Sequence, residues 1–378
     1  MGDVLPRYRV AAVHAAPVFM DREASVEKAC GLIAEAAARG AALVAFPEVF
    51  LPGYPLWCLL APPYENHDLY RLLYRNALTV PGPEVDELCR AARRHSVYVS
   101  VGINEKSPDS PGTLWNANLL IDADGRLIGH RRKLVPTFAE KLVWSNGDAR
   151  DLQAHETDLG RIGVLICGEN TNPLARFALL AQGEQLHIAT YPCAFPAKKP
   201  GAPGEYDLGR AIEIRSAAHS FEGKVYTVVT AGFVDDRTLE ISARWEGARQ
   251  VMAATPRPAS MVLAPDGRAV AGPVTDAEGL VLADVDLENT VEEKQIHDVT
   301  GGYNRFDVFR LEVRREKLAA VRGVEGGSSG GRRAVLLHLA LPRELLVRGG
   351  RARSGTCSRV SRRSGRCQQP LSLSLVSR

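Results

Sequence analysis

Along most of the chain, short apolar runs alternate with stretches in which apolar residues return every three or four positions. These are the periods of buried strands and of amphipathic helices. Tyr8 to His14 is an apolar strand. Val26, Cys30, Ile33 and Ala37 recur at helical spacing behind Ser25, a suitable N-cap, and Gly40 ends that helix. The run from Ala41 is again a strand, stopped by Pro47. Glu84 to His95 predicts a helix and Val97 to Ile103 a strand. Trp115 to Ile121 and Leu127 to Lys133 flank Asp122-Ala123-Asp124-Gly125, a hairpin signal. The strand Arg161 to Ile166 runs into Cys167, and a helical pattern continues from Asn172 to Leu180. Leu186 to Thr190 and Val225 to Ala231 predict strands, with a helix between them from Leu208 to Phe221. Met261 to Ala264, the turn Pro265-Asp266-Gly267-Arg268 and Leu280 to Val285 predict a late hairpin. Helices alternating with strands, with hairpins interspersed, predict an α/β chain whose mixed sheet is layered with helices.

Composition fits one large domain or two smaller ones: 378 residues, of which 45% are hydrophobic. The net charge of +3 hides a division. Residues 317–378 carry a surplus of eleven positive charges and residues 1–316 a deficit of eight. The mildly acidic body gives no reason to invoke nucleic acid. The tail 317–378, with its Gly326-Gly327-Ser328-Ser329-Gly330-Gly331 linker, has the composition of a solvated, disordered segment. A short amphipathic piece, Ala334 to Leu341, is the part a partner subunit would order. No apolar segment is long enough to span a bilayer, and the N-terminus lacks a signal peptide's apolar stretch. Seven scattered cysteines form neither a CxxC pair nor a Cys/His cluster, which excludes a zinc motif and a disulfide framework. A reduced, cytoplasmic compartment is expected.

Candidate chemistry lies where strands end. Cys167 stands at a sharp strand-to-helix junction, where the helix N-terminus favours a thiolate. Glu48 stands just past Pro47, at the carboxyl end of its strand, where open α/β sheets place their sites. Lys133 lies late in an extended segment, ahead of Pro136. A thiol, a carboxylate and an ammonium make a nucleophile, a base and a charge stabiliser. His130 falls on the opposite side of the alternating strand from Lys133 and is expected to be structural.

These residues and the words around them resemble the nitrilase superfamily of carbon–nitrogen hydrolases. The resemblance rests on Phe46-Pro47-Glu48 with Pro52-Gly53-Tyr54-Pro55, on Arg132-Lys133-Leu134 with Pro136-Thr137, and on Cys167-Gly168-Glu169-Asn170 with Pro173-Leu174-Ala175-Arg176. Glu140-Lys141-Leu142-Val143-Trp144 and Gly302 to Phe309 resemble the nitrilase branch in particular. The resemblance covers roughly residues 7–312, and implies a four-layer α-β-β-α sandwich for a domain spanning 1–316. It departs from the family at Gly168, where Trp is frequent, at Phe138, where His is frequent, and at Phe306, where Pro is frequent; these bear on substrate range more than on reaction.

By the same resemblance, Cys167 attacks a nitrile carbon, Glu48 is general base, Lys133 stabilises charge, and Glu140 orients Lys133 or the substrate. A thioimidate and then a thioester lead to a carboxylic acid and ammonia, with no metal or organic cofactor. Tyr54, Trp57, Gly168, Cys193 and Phe195 are expected in the substrate pocket. Hydrolysis of amides or carbamoyl groups, degradation of cyanide, and an inactive filament-forming scaffold are the alternatives. The family implies a homodimer or a longer spiral homo-oligomer.

Overall fold

The computed structural model describes residues 4–198 and 206–316. The Arg-rich tail 317–378, with its 334–341 segment, lies outside the described residues, as does the 199–205 stretch that includes Lys199.

Among the described residues, twelve strands form two six-stranded sheets. The first holds β1 (Arg7–His14), β2 (Ala41–Ala45), β3 (Tyr98–Lys106), β4 (Leu114–Ile121), β5 (Leu127–Arg132) and β12 (Gly279–Asp286). The second holds β6 (His155–Thr157), β7 (Gly160–Ile166), β8 (Leu186–Tyr191), β9 (Tyr226–Ala231), β10 (Ser260–Leu263) and β11 (Ala269–Val274). Their orders are β12-β1-β2-β3-β4-β5 and β11-β10-β9-β8-β7-β6. Each sheet has three parallel strands at its centre, β1-β2-β3 and β7-β8-β9, and antiparallel partners outside them. Parallel neighbours need crossovers, which the helices provide.

The apolar runs follow from burial on both faces. In β1, Val10 and Ala12 face the space between the sheets, with Leu43, Ala45, Ile162, Val164, Ile188 and Val228. Ala11 and Val13 face the opposite way, among Ala29 and Ile33 of the helix Arg22–Ala38 and Leu88 and Ala92 of the helix Pro83–His95. The second sheet is covered by the helices Pro173–Leu180 and Leu208–Gly223. The layers are therefore helices, sheet, sheet, helices, the α-β-β-α sandwich. A strand covered on both faces has no reason to alternate, so period two is masked in the sequence.

Two sequence expectations are corrected. The first helix is capped by Asp21, not Ser25. Asp21 accepts the Ala24 N–H at 3.1 Å, while the Ser25 hydroxyl, inside the helix, donates to the Val18 carbonyl. The late hairpin joins β10 to β11, not to Leu280–Val285. The latter lies in β12, which crosses to the other sheet and pairs antiparallel with β1 from Gly279 to Asp286. β12 buries Val281, Ala283 and Val285 between the sheets, whereas β11 is a largely exposed edge whose composition does not mark it.

Candidate active site

Chain ends of both sheets meet at the site. Glu48 follows β2, Lys133 follows β5 directly, and Cys167 follows β7 directly. The two halves are tied there by the Glu48 N–H, which donates to the Tyr191 carbonyl at the end of β8 at 3.2 Å. Gly102 in β3 passes under the Pro47–Val49 backbone so closely that a Cβ would collide with the Pro47 carbonyl and the Val49 nitrogen.

Lys133 is the centre. Its Nζ donates to Glu48 Oε1 and to Glu140 Oε2, both at 2.7 Å. Glu140 is fixed by the Tyr54 hydroxyl at 2.8 Å and by the Thr137 N–H at 2.6 Å, the latter within a capping box that starts the short turn Phe138–Leu142. Asn116 Nδ2 donates to Glu48 Oε1 at 2.7 Å. The second oxygen of Glu48, Oε2, is buried without a hydrogen-bond partner. Cys167 Sγ and one carboxylate oxygen each of Glu48 and Glu140 lie within 4.8 Å of one another. None of the four residues is more than 4% exposed.

Backbone strain gathers here. Cys167 has φ 49°, Val49 φ 43° and Phe138 φ 51°. Each is a side-chain-bearing residue in left-handed conformation, worth roughly 1–3 kcal/mol of strain, and Val49 is β-branched as well. Each adjoins or carries a site residue.

The electrostatics follow from burial. Glu48 is pushed up to about 7, first by burial and then by the Glu140 charge, against the opposing effects of Lys133 and Asn116. The ammonium of Lys133 is held well above its ordinary value: burial disfavours the charge, but Glu140 and Glu48 more than offset it. The Cys167 thiol is raised well above its ordinary range by burial and by Glu48, with Lys133 opposing. A helix N-terminus therefore does not supply a resting thiolate, as the sequence suggested. The helix begins only at Pro173, after a turn from Cys167 to Thr171, and burial dominates. The thiol starts protonated and needs a base.

Tyr54 touches the site through Glu140 and packs edge-on against Trp144, centroids 5.7 Å apart. Trp57, Cys193 and Phe195 share the apolar cluster that includes Cys167. Trp57 also lines a small cavity of about 130 Å³ with Cys58, Asn66 and Tyr70. Phe195 packs against Tyr206 with centroids 5.9 Å apart. Cys193 is pushed up to about 12 by burial, and the charges acting on it are Arg257 and Asp235 rather than the Glu48–Lys133–Cys167 set. At Gly168, Thr137 Oγ1 stands 2.8 Å from where a Cβ would be, so this chain fills with a neighbour's hydroxyl the space a larger residue would claim. His130 is structural, with Nε2 2.9 Å from Glu105 Oε2. Asn116, Thr137 and Trp144 were not singled out as site residues. Asn116 had a signal, since Asn116 and Asn118 are polar residues on one face of an otherwise apolar strand.

Two buried groups have donor sets that a metal would accept: Glu48, Glu140 and Cys167, and Glu184, His187 and His219. In the first, the Lys133 ammonium already bridges both carboxylates. In the second, ring nitrogens contact the two carboxylate oxygens directly, at 2.7 and 2.9 Å.

Comparison with known proteins bears on the chain as a whole. The model of the carbon-nitrogen hydrolase family matches residues 9–295. A nitrilase of Paraburkholderia phymatum is 33% identical over 305 residues, 81% of this chain and 86% of the relative. An aliphatic nitrilase of Rhodococcus rhodochrous is 35% identical, covering 83% of this chain and 84% of the relative. Among solved structures, a carbon-nitrogen hydrolase from Helicobacter pylori G27 superposes with TM-score 0.60 at 19% identity, over 77% of this chain and 93% of that one.

Proposed function

Because this chain belongs to the carbon–nitrogen hydrolase family, in its nitrilase branch, we propose that it hydrolyses an organic nitrile to a carboxylic acid and ammonia, using Cys167, Glu48, Lys133 and Glu140. The observation that carries the reading is the unpartnered Glu48 Oε2 in the same buried site as the Cys167 thiol, whose proton must leave before attack.

Glu48 Oε2 takes the thiol proton, and the sulfur attacks the nitrile carbon, forming the C–S bond as the nitrogen gains a proton. The product is a thioimidate. A water activated by Glu48 adds to it, ammonia departs, and a thioester remains. A second water releases the acid and restores the thiol, so one nitrile and two waters give one acid and one ammonia. Lys133 has spent two of its three N–H donors on the carboxylates, and the third stabilises the developing negative charge. Glu140, held by Tyr54 and Thr137, fixes the position of that ammonium. Tyr54, Trp57, Gly168, Cys193 and Phe195 form the pocket wall in this reading.

The catalytic domain is taken as residues 1–316, with 317–378 appended. Exposed Leu174, Ile214 and Phe221 on the outer helices of the second sheet support a homodimer or a longer homo-oligomer. Among the described residues, five cysteines are without disulfide partners, which supports a reducing, cytoplasmic location, and no helix is long and apolar enough to cross a membrane.

Ammonia release from a panel of nitriles and matching amides, with mass spectrometry of trapped protein, tests the proposal. Acid, ammonia and an adduct on Cys167 that Cys167→Ala lacks are expected. Turnover of amides alone would move the chain to amide hydrolysis, formamide or formate from cyanide would make it a cyanide-degrading enzyme, and no turnover of any would leave a scaffold.

A further inference from the structure

A second buried polar cluster stands behind the nucleophile, and its hydrogen bonds run from the Cys167 turn to a buried carboxylate. Asn170 is three residues after Cys167, and its Nδ2 donates to the Leu165 and Cys167 carbonyls, each at 3.1 Å. With the amide nitrogen committed to two acceptors, Oδ1 is the atom that faces His187 Nε2, at 2.8 Å. A carbonyl oxygen only accepts, so Nε2 must carry a proton. The other ring nitrogen, Nδ1, lies 2.7 Å from Glu184 Oε1, and Glu184 Oε2 lies 2.9 Å from His219 Nε2. Burial pushes His219 down to about 4, so it is neutral at neutral pH, while Glu184 is held at about 2 and is ionised. Glu184 thereby holds the His187 ring at Nδ1 while Nε2 faces Asn170.

Its surroundings were shaped to admit it. Glu184, His187 and His219 side chains are fully buried. Gly163 in β7 is the register partner of His187 in β8, and a Cβ at Gly163 would collide with the Glu184 carboxylate. The strand that delivers Cys167 thus gives up a side chain for this cluster.

We propose that His187 is a positioning residue: Glu184 anchors its ring at Nδ1, Nε2 donates to Asn170 Oδ1, and Asn170 clamps the left-handed turn that aims the Cys167 sulfur at Glu48. A left-handed, side-chain-bearing residue persists only where its surroundings over-determine it. Glu169 supplies one restraint, accepting the Ile166 N–H at 2.9 Å, and the Asn170 clamp on the Cys167 carbonyl supplies the other. This rests on the reading of Cys167 as nucleophile.

The test compares full-length wild type, His187→Phe, Glu184→Leu and Glu184→Gln in three readouts: Tm, kcat against KM on the best nitrile, and the rate at which iodoacetamide alkylates Cys167. Glutamine at 184 donates to His187 Nδ1 and accepts from His219, so a neutral ring keeps Nε2–H on Asn170. Leucine leaves the tautomer free, and phenylalanine removes the donor. The expected result is a loss of kcat on the order of 10²-fold for His187→Phe and Glu184→Leu, with KM little changed and alkylation slowed in parallel. Glu184→Gln is expected within a few-fold of wild type. If His187→Phe does not fold, Asn170→Asp, which keeps an acceptor for His187 and removes both carbonyl bonds, must show the same loss. Folded His187→Phe or Asn170→Asp with kcat and alkylation within twofold of wild type overturns the proposal, as does an equal loss in Glu184→Gln. Wild-type turnover that survives Cys167→Ala would sink the nucleophile reading instead, and is distinguishable because it needs no His187 variant.

Discussion

At the scale of single residues, the site is a contest between burial and charge pairing. Glu48 carries the consequence that is easiest to measure. A general base must be ionised, and Glu48 is pushed up to about 7, so kcat/KM is expected to rise with pH through that region and level off above it. Asn116 donates to the charged form and so holds the value down; Asn116→Ala is expected to move the acid limb to higher pH, and a limb that stays or moves down would contradict this. For folding the sign is opposite. A carboxyl whose value is raised in the folded state favours folding while protonated and loses that advantage as pH rises through about 7. Glu48→Gln is therefore expected to abolish turnover yet raise Tm at pH 8, with Lys133 still paired to Glu140; a lower Tm in thermal melts would refute it. Of the residues concerned, Glu48, Lys133, Glu140 and Cys167 were legible from sequence because each lies in a short, distinctive word at a strand end or the turn beyond it. Thr137 and His187 were not, and Asn116 showed only as a polar residue on an apolar strand, since their roles come from partners far away or from a turn with no strong composition.

At the scale of elements, the strands bring their ends together and the backbone itself sets spacing. β3 passes beneath the Glu48 turn at Gly102, where there is room only for hydrogen. Gly102→Ala must push against main-chain atoms of Pro47 and Val49 rather than a flexible side chain. A stability loss of roughly 1–3 kcal/mol by overpacking is expected. A fall in kcat is also expected, because Glu48 moves with its turn. Urea unfolding and steady-state kinetics check both, and an unaffected kcat would show that the turn yields without moving the carboxylate. The strands and helices that the sequence predicts lie within about three residues of their observed ends, but the helices His67–Asn76, Asp236–Ser242, Ala248–Ala254 and Asn289–Ile296 and the strands β6 and β11 are not among them. The two misplacements, the Asp21 cap and the β10–β11 hairpin, share one cause: two adjacent candidates satisfied the same local rule. Asp21 and Ser25 both cap helices well, and both β11 and β12 can follow a turn.

At the scale of the molecule, the chain divides its charge, with a body in deficit and a tail in surplus. Every residue of the proposed site lies before residue 317. Truncation after Glu316 is therefore expected to leave kcat per protomer unchanged while lowering the isoelectric point, since a surplus of eleven positive charges leaves with the tail. Kinetics with light scattering decides: unchanged activity with unchanged mass removes the tail from both catalysis and assembly, and lost activity would return it to the site.

The sequence alone determined which residues to propose for the chemistry and in what order most strands, and the helices between them, succeed one another. Both are local: a strand end, a cap or a catalytic word is written in a few consecutive positions. Only the tertiary structure decided that the strands split into two sheets, that β12 returns to pair with β1, and that Glu48 from one sheet meets Cys167 from the other. Strands covered on both faces carry no periodic mark of which layer they face. The value near 7 at Glu48 likewise exists only once burial removes water and leaves the carboxyl to its neighbours.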